Sequence, residues 1–215
     1  FLYNTLSAFQ YGSVQIYGGD RGTADAASGT WYMKDKTTGA QIVRVRGQHT
    51  EHITTRINDS FWDNSSMAVH VYDGWGKLEL SGAFAATKDV VAYNNGLWRV
   101  NSPITVNTAT INNLGRIDHD ANGTTMTKWI EVTATTITVA SGGIIDAWER
   151  GYQIGSGPGA GGSGQGGSYG GTSLGASGRG LDEYGNIINP NDLGSPGFTR
   201  RGGGMIRLTV TEQFN

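Results

Sequence analysis

The sequence predicts an all-β protein whose architecture is a right-handed parallel β-helix, also called a β-solenoid. Three observations lead to this fold class. Short stretches alternate between apolar and polar residues, no stretch of ten or more residues has helical periodicity, and glycines recur at a spacing near 20 residues. Alternation with period two places successive side chains on opposite faces of a strand, and a fixed period is the mark of a repeat architecture.

The alternating stretches run from near the start of the chain to its end. They are rich in β-branched and aromatic residues, which favour a pleated strand with one buried face. Turn-forming residues, mainly Gly, Asn, Asp and Ser, separate them. In chain order they comprise residues 13–17, 41–46, 67–72, 77–80, 97–100, 129–132 and 205–210.

Glycines at equivalent positions precede several of these strands. Gly39 lies about two periods before the first of four regular positions, and Gly204 follows them after a long insertion. In a solenoid, each repeat stacks on the next at the strand spacing of about 4.8 Å, and a sharp corner favours glycine. A β-sandwich with evenly spaced hairpins is the alternative. The four regular corners, 20, 19 and 28 residues apart, are Gly76, Gly96, Gly115 and Gly143.

Glycine is concentrated near the C-terminal end. The chain has 35 glycines in 215 residues, and 20 of them fall within residues 151–204. We therefore predict a solenoid body over 1–150, a glycine-rich insertion between coils over 151–204, and a closing strand over 205–215. A flexible Gly/Ser linker is the alternative for the insertion. Buried aromatic and aliphatic residues such as Tyr152, Tyr169 and Leu193 would instead make it a packed lobe.

One resemblance adds to this prediction. Residues 137–147 read as a strand, Ala-Ser-Gly and a second strand, and Gly151-Tyr152 and a glycine-rich excursion follow before Gly202-Gly203-Gly204 and a last strand. Together these motifs, over about 130–212, resemble the glycine-rich parallel β-helix segments of very large secreted and surface proteins of environmental bacteria and archaea. The resemblance implies an extracellular structural or adhesive part, and it implies no catalytic residues.

Composition excludes several classes of protein. The net charge of −2 provides no basic surface for nucleic acid, so we expect no nucleic-acid partner. No apolar run reaches the roughly 18 residues of a membrane-spanning helix, so we expect no transmembrane segment. The chain has no cysteine, which excludes disulfide frameworks, zinc fingers and iron–sulfur sites.

One loop has the pattern of a metal site. Asp118, Asp120 and Asn122, followed by Gly123, match the start of an Asp-x-Asp-x-Asn-Gly calcium loop. Carboxylate and amide oxygens at alternate positions suit Ca²⁺, although position 129, where such loops carry a glutamate, is Trp. The sequence therefore offers calcium as the one candidate cofactor, and the alternative is a plain turn rich in Asp and Asn.

These observations favour a non-catalytic extracellular structural protein, a subunit or segment of a surface filament, sheath or adhesin. We expect it to self-associate, because an open solenoid exposes end strands, with Leu208–Val210 and the N-terminal Phe1–Tyr11 as the candidate strands. A carbohydrate- or receptor-binding tip, such as a phage tail fibre, is the second hypothesis. Trp62 and Trp75, each close to an aspartate, would then stack on sugars of a polysaccharide. A polysaccharide lyase or hydrolase is the third.

Overall fold

The computed structural model describes residues 2–3, 29–47, 55–58, 67–72, 76–81, 88–171, 174–175, 178–179, 183–186 and 188–215. These residues form strands, turns and irregular loops, and no helix occurs among them, so none that could span a membrane is present there. The strands are β1 (Leu2–Tyr3), β2 (Gly29–Asp35), β3 (Gln41–Arg46), β4 (Thr55–Asn58), β5 (Met67–Tyr72), β6 (Lys77–Ser81), β7 (Asp89–Tyr93), β8 (Leu97–Arg99), β9 (Ile104–Ile111), β10 (Arg116–Asp118), β11 (Ile130–Val139), β12 (Ile144–Ile145), β13 (Leu174–Gly175), β14 (Gly178–Arg179) and β15 (Ile206–Phe214).

Two main sheets contain nearly all of these strands. The larger has eight strands in the order β1-β2-β3-β5-β7-β9-β11-β15, and the smaller has five in the order β12-β10-β8-β6-β4. From β3 to β12, successive strands alternate between the two sheets. A short antiparallel pair, β13 and β14, lies within the glycine-rich segment.

The predicted right-handed parallel β-helix is wrong. The described strands form two sheets of unequal size and no closed solenoid, and the larger sheet is mixed because β2 runs antiparallel to β3. The reversal has a local cause. The Asp35 carboxylate accepts hydrogen bonds from the backbone N–H groups of Thr37 (2.7 Å) and Thr38 (3.2 Å), and Gly39 has a φ of +75°. Gly39 therefore belongs to a hairpin turn and is not the predicted corner between stacked repeats.

The alternative β-sandwich does not describe the structure either. A sandwich of that class is built from antiparallel strands, whereas every pairing in the two main sheets except β2–β3 is parallel among the described residues. Parallel neighbours need a connection that returns to the same end of the sheet. From β3 to β11, each return passes through one strand of the smaller sheet.

The four regular glycines do occupy equivalent positions. Each directly precedes a residue of one in-register row, Lys77, Leu97, Arg116 and Ile144. The N–H of Gly115 closes a turn on the carbonyl of Asn112 at 2.8 Å, and Gly96 and Gly143 make the equivalent bond. The left-handed residue is the one before the glycine, as Leu114 shows with a φ of +60°. The glycine is needed for a different reason, since a Cβ on Gly115 would lie less than 3.0 Å from the carbonyl of Ala92.

The hydrophobic core lies between the two main sheets. In each sheet, apolar residues of neighbouring strands are register partners. The apolar side chain of one strand therefore packs beside that of the next strand. Each fully buried aliphatic side chain contributes about 1.5–3 kcal/mol. The row in the larger sheet is Val45, Val71, Ala92, Ile111 and Val139, and the row in the smaller sheet is Leu78, Trp98, Ile117 and Ile145.

Candidate functional site

Asp118, the first predicted calcium ligand, ends β10 and is buried. Its carboxylate accepts hydrogen bonds from Nε and Nη2 of Arg99, the latter at 2.8 Å, and from Nη2 of Arg150 at 3.1 Å. Two guanidinium groups therefore share one carboxylate. This geometry fits the planar donor fork of arginine and makes charge-assisted hydrogen bonds.

The second predicted ligand, Asp120, also faces positive charge. Its carboxylate forms an ion pair with Arg99 and lies 3.7 Å from Nζ of Lys128. It also accepts a hydrogen bond from Nδ2 of Asn101 at 3.0 Å, while its own backbone N–H donates to Oδ1 of Asn101 at 2.8 Å. The side chain thus holds the loop after β10 against the loop after β8.

The third predicted ligand, Asn122, is a buried loop anchor. Its Oδ1 accepts hydrogen bonds from the backbone N–H groups of Thr127 (2.8 Å) and Lys128 (2.9 Å). Its Nδ2 donates to the carbonyls of Lys128 (2.8 Å) and Arg150 (2.9 Å). With a fifth hydrogen bond from the Thr127 hydroxyl (3.3 Å), the amide closes the loop over 122–128 and ties it to Arg150, a common role for a buried Asn.

No group of three or more His, Cys, Asp or Glu side chains that could hold a metal ion lies in the described part of the chain. The oxygens of Asp118, Asp120 and Asn122 instead contact cationic, amide, hydroxyl or backbone donors of the protein. Calcium binding at these residues stays a prediction. The candidate sugar-stacking residues Trp62 and Trp75 lie outside the described residues.

His119 lies between these two aspartates and is fully buried. Its Nδ1 lies 2.9 Å from the carbonyl oxygen of Asp120, and its Nε2 has no hydrogen-bond partner among the described residues. Burial lowers the pKa of His119 to about 4; the Asp118 carboxylate opposes this shift, while the charges of Arg150 and Arg99 add to it. The imidazole is therefore neutral at pH 7.

A row of charges of alternating sign crosses the smaller sheet, and the sequence analysis missed it. Arg56, Glu79, Arg99 and Asp118 are in register on β4, β6, β8 and β10. The exposed fraction of their side chains falls from 71% through 13% and 6% to 2% along the row. The sequence does contain a pattern that could have predicted this row, because Glu79, Arg99 and Asp118 each lie three residues after a corner glycine.

The glycine-rich lobe, by which we mean the described residues within 151–205, is held together by its backbone. The N–H of Gly151 donates to the carbonyl of Gly202 (2.7 Å), that of Tyr152 to Gly194 (3.2 Å), and that of Gly194 to Gly203 (2.9 Å). A Cβ on Gly151 or Gly202 would lie less than 3.0 Å from backbone atoms of the neighbouring segment. Glycine is therefore required for close approach, which a flexible linker would not need.

A small core and a network of side chains complete the lobe. Leu193, Tyr152 and Met205 form a second buried hydrophobic cluster. The hydroxyl of Tyr152 donates to Oδ1 of Asp192 at 2.8 Å, and the N–H of Leu193 donates to the same oxygen at 2.7 Å. The hydroxyl of Tyr184 donates to the carbonyl of Leu193. The packed alternative thus describes these residues better than a linker.

A cavity of about 330 Å³ opens between the lobe and the start of β15. It is lined by Tyr169, Pro190, Asp192, Met205 and Ile206, together with three glycines. Tyr169 packs edge-on against Tyr184, with ring centroids 5.1 Å apart. Among the described residues, its lining therefore comprises one tyrosine, three other non-glycine residues without charge and one aspartate.

Comparison of the chain with protein-family models, with curated proteins and with solved structures finds no match.

Proposed function

We propose that this protein is a non-catalytic structural subunit that self-associates through the open edges of its larger sheet, as part of an extracellular filament, sheath or adhesin. One observation carries the proposal. The predicted segment Phe1–Tyr11 contains β1 and the predicted segment Leu208–Val210 lies within β15, and these two strands form the opposite edges of one eight-stranded sheet. A head-to-tail contact between opposite edges repeats without closing, which produces a filament.

The edge at β15 has the properties of a strand that can accept a neighbour. It is nine residues long and contains neither Lys nor Pro, which commonly block edge pairing, and its two charged residues are Arg207 and Glu212. Its backbone is parallel and in register with β11 from Ile206 to Val210. A further parallel strand would use the same hydrogen-bonding pattern, which is the chemistry of β-augmentation.

The apolar rows of the core also end at this edge. Leu208 and Val210 are in register with the fully buried Val132 and Ala134 of β11, yet they are only partly buried. A strand from a second copy would bury Leu208 and Val210 in the same way that β15 covers β11. Apolar area removed from water contributes about 25 cal/mol per Å².

The pairing of the charged cluster supports a structural rather than a catalytic role. Arg99 and Arg150 both contact Asp118, so this carboxylate ties together β8, β10 and the loop after β12. The absence of cysteine and the low content of charged residues, 16%, suit an exposed scaffold that relies on backbone ladders. These features support an extracellular location.

The test is the state of association of wild-type protein and of Leu208→Lys. We expect wild-type protein to form larger species with rising concentration in analytical ultracentrifugation, and filaments in negative-stain electron microscopy. Leu208 is partly buried, so a lysine there can extend its ammonium group to solvent at the sheet edge but would have to bury it beneath an added strand. Leu208→Lys should therefore stay monomeric while keeping its β-sheet circular dichroism spectrum.

Thr105→Lys is the charge-matched control, because the exposed Thr105 lies on β9, in the interior of the same sheet. This variant should associate like the wild type. A wild-type protein that sediments as a monomer at every concentration would overturn the proposal. So would equal association of all three proteins.

A further inference from the structure

We draw no further inference here: the strongest candidate, the stripe of threonines in register on the outer face of β9, β11 and β15 (Thr105, Thr133 and Thr209), carries nothing because no second feature of the described residues shows what covers it.

Discussion

At the residue scale, Asp118 lies between the guanidinium groups of Arg99 and Arg150, with its carboxylate almost completely excluded from water. A buried ion pair of this kind contributes little compared with a well-packed apolar group, but removal of one partner leaves an uncompensated buried charge. The residue is therefore difficult to replace, whether or not it ever contacts a metal ion.

We predict that Asp118→Asn lowers the free energy of unfolding by about 3 kcal/mol, since the buried Arg99 would lose its buried counter-charge and keep only the partly exposed Asp120. Urea denaturation followed by circular dichroism measures this. Arg200→Gln is the control, because it breaks the exposed pair with Glu149 (3.0 Å) and should change the free energy by less than about 1 kcal/mol. Equal effects of the two substitutions would contradict this account of Asp118.

At the scale of the element, the corner glycine determines how closely two repeats approach. The corner carbonyls and N–H groups bond from repeat to repeat, as from Arg116 N–H to the Gly96 carbonyl at 3.0 Å. Gly115 has no room for a methyl group beside the Ala92 carbonyl. A side chain there would separate β10 from β8 or distort the turn.

We predict that Gly115→Ala destabilises the protein by about 1–3 kcal/mol, because the added methyl group overpacks the corner. The midpoint of thermal unfolding measures it. Gly123→Ala is the control, as nothing lies within 4 Å of a Cβ at Gly123 and its backbone is not left-handed. If both variants unfold at the wild-type temperature, close approach at the corner does not matter.

Several elements were predictable from local pattern, and others were not. The stretches 41–46, 67–72, 77–80 and 97–100 coincide with β3, β5, β6 and β8 within a residue. β9 was missed because its buried residues change phase: Ile104 and Val106 are buried, and then Ala109 and Ile111. An interrupted alternation weakens the period-two signal on which the prediction depends. The predicted strand at 13–17 lies outside the described residues.

At the scale of the whole molecule, His119 joins the sheet body to the lobe. Its Nε2 lies so close to Gly204 that a Cβ there would clash, and the N–H of Gly204 donates to the carbonyl of Ala147 at 2.7 Å. Asp118, Arg99, Arg150 and Asp146 all act on the imidazole, and protonation would bury a third cation beside the two arginines. Protonation of His119 should therefore weaken the packing of the lobe against the sheets.

We predict that stability falls as the pH decreases from about 6.5 toward 4. The unfolded His119 takes up a proton near pH 6.5, whereas in the folded protein its pKa is about 4, so the unfolded state binds more protons in this range. Denaturation midpoints at pH 7 and pH 5 measure the loss. His119→Gln should reduce the difference, and His70, whose pKa is also about 4 because of burial, should account for a remainder. An identical pH dependence in His119→Gln would contradict this role.

The sequence by itself determined the positions of several strands, the equivalent corners at 76, 96, 115 and 143, and the glycine-rich segment, because each depends on residues close together in the chain. Only the tertiary structure decided that Asp118 contacts Arg150 and that the glycines of the lobe pack backbone against backbone. These features depend on residues far apart in the chain: Asp118 and Arg150 are separated by 32 positions. No local pattern specifies which distant cation will meet a buried carboxylate.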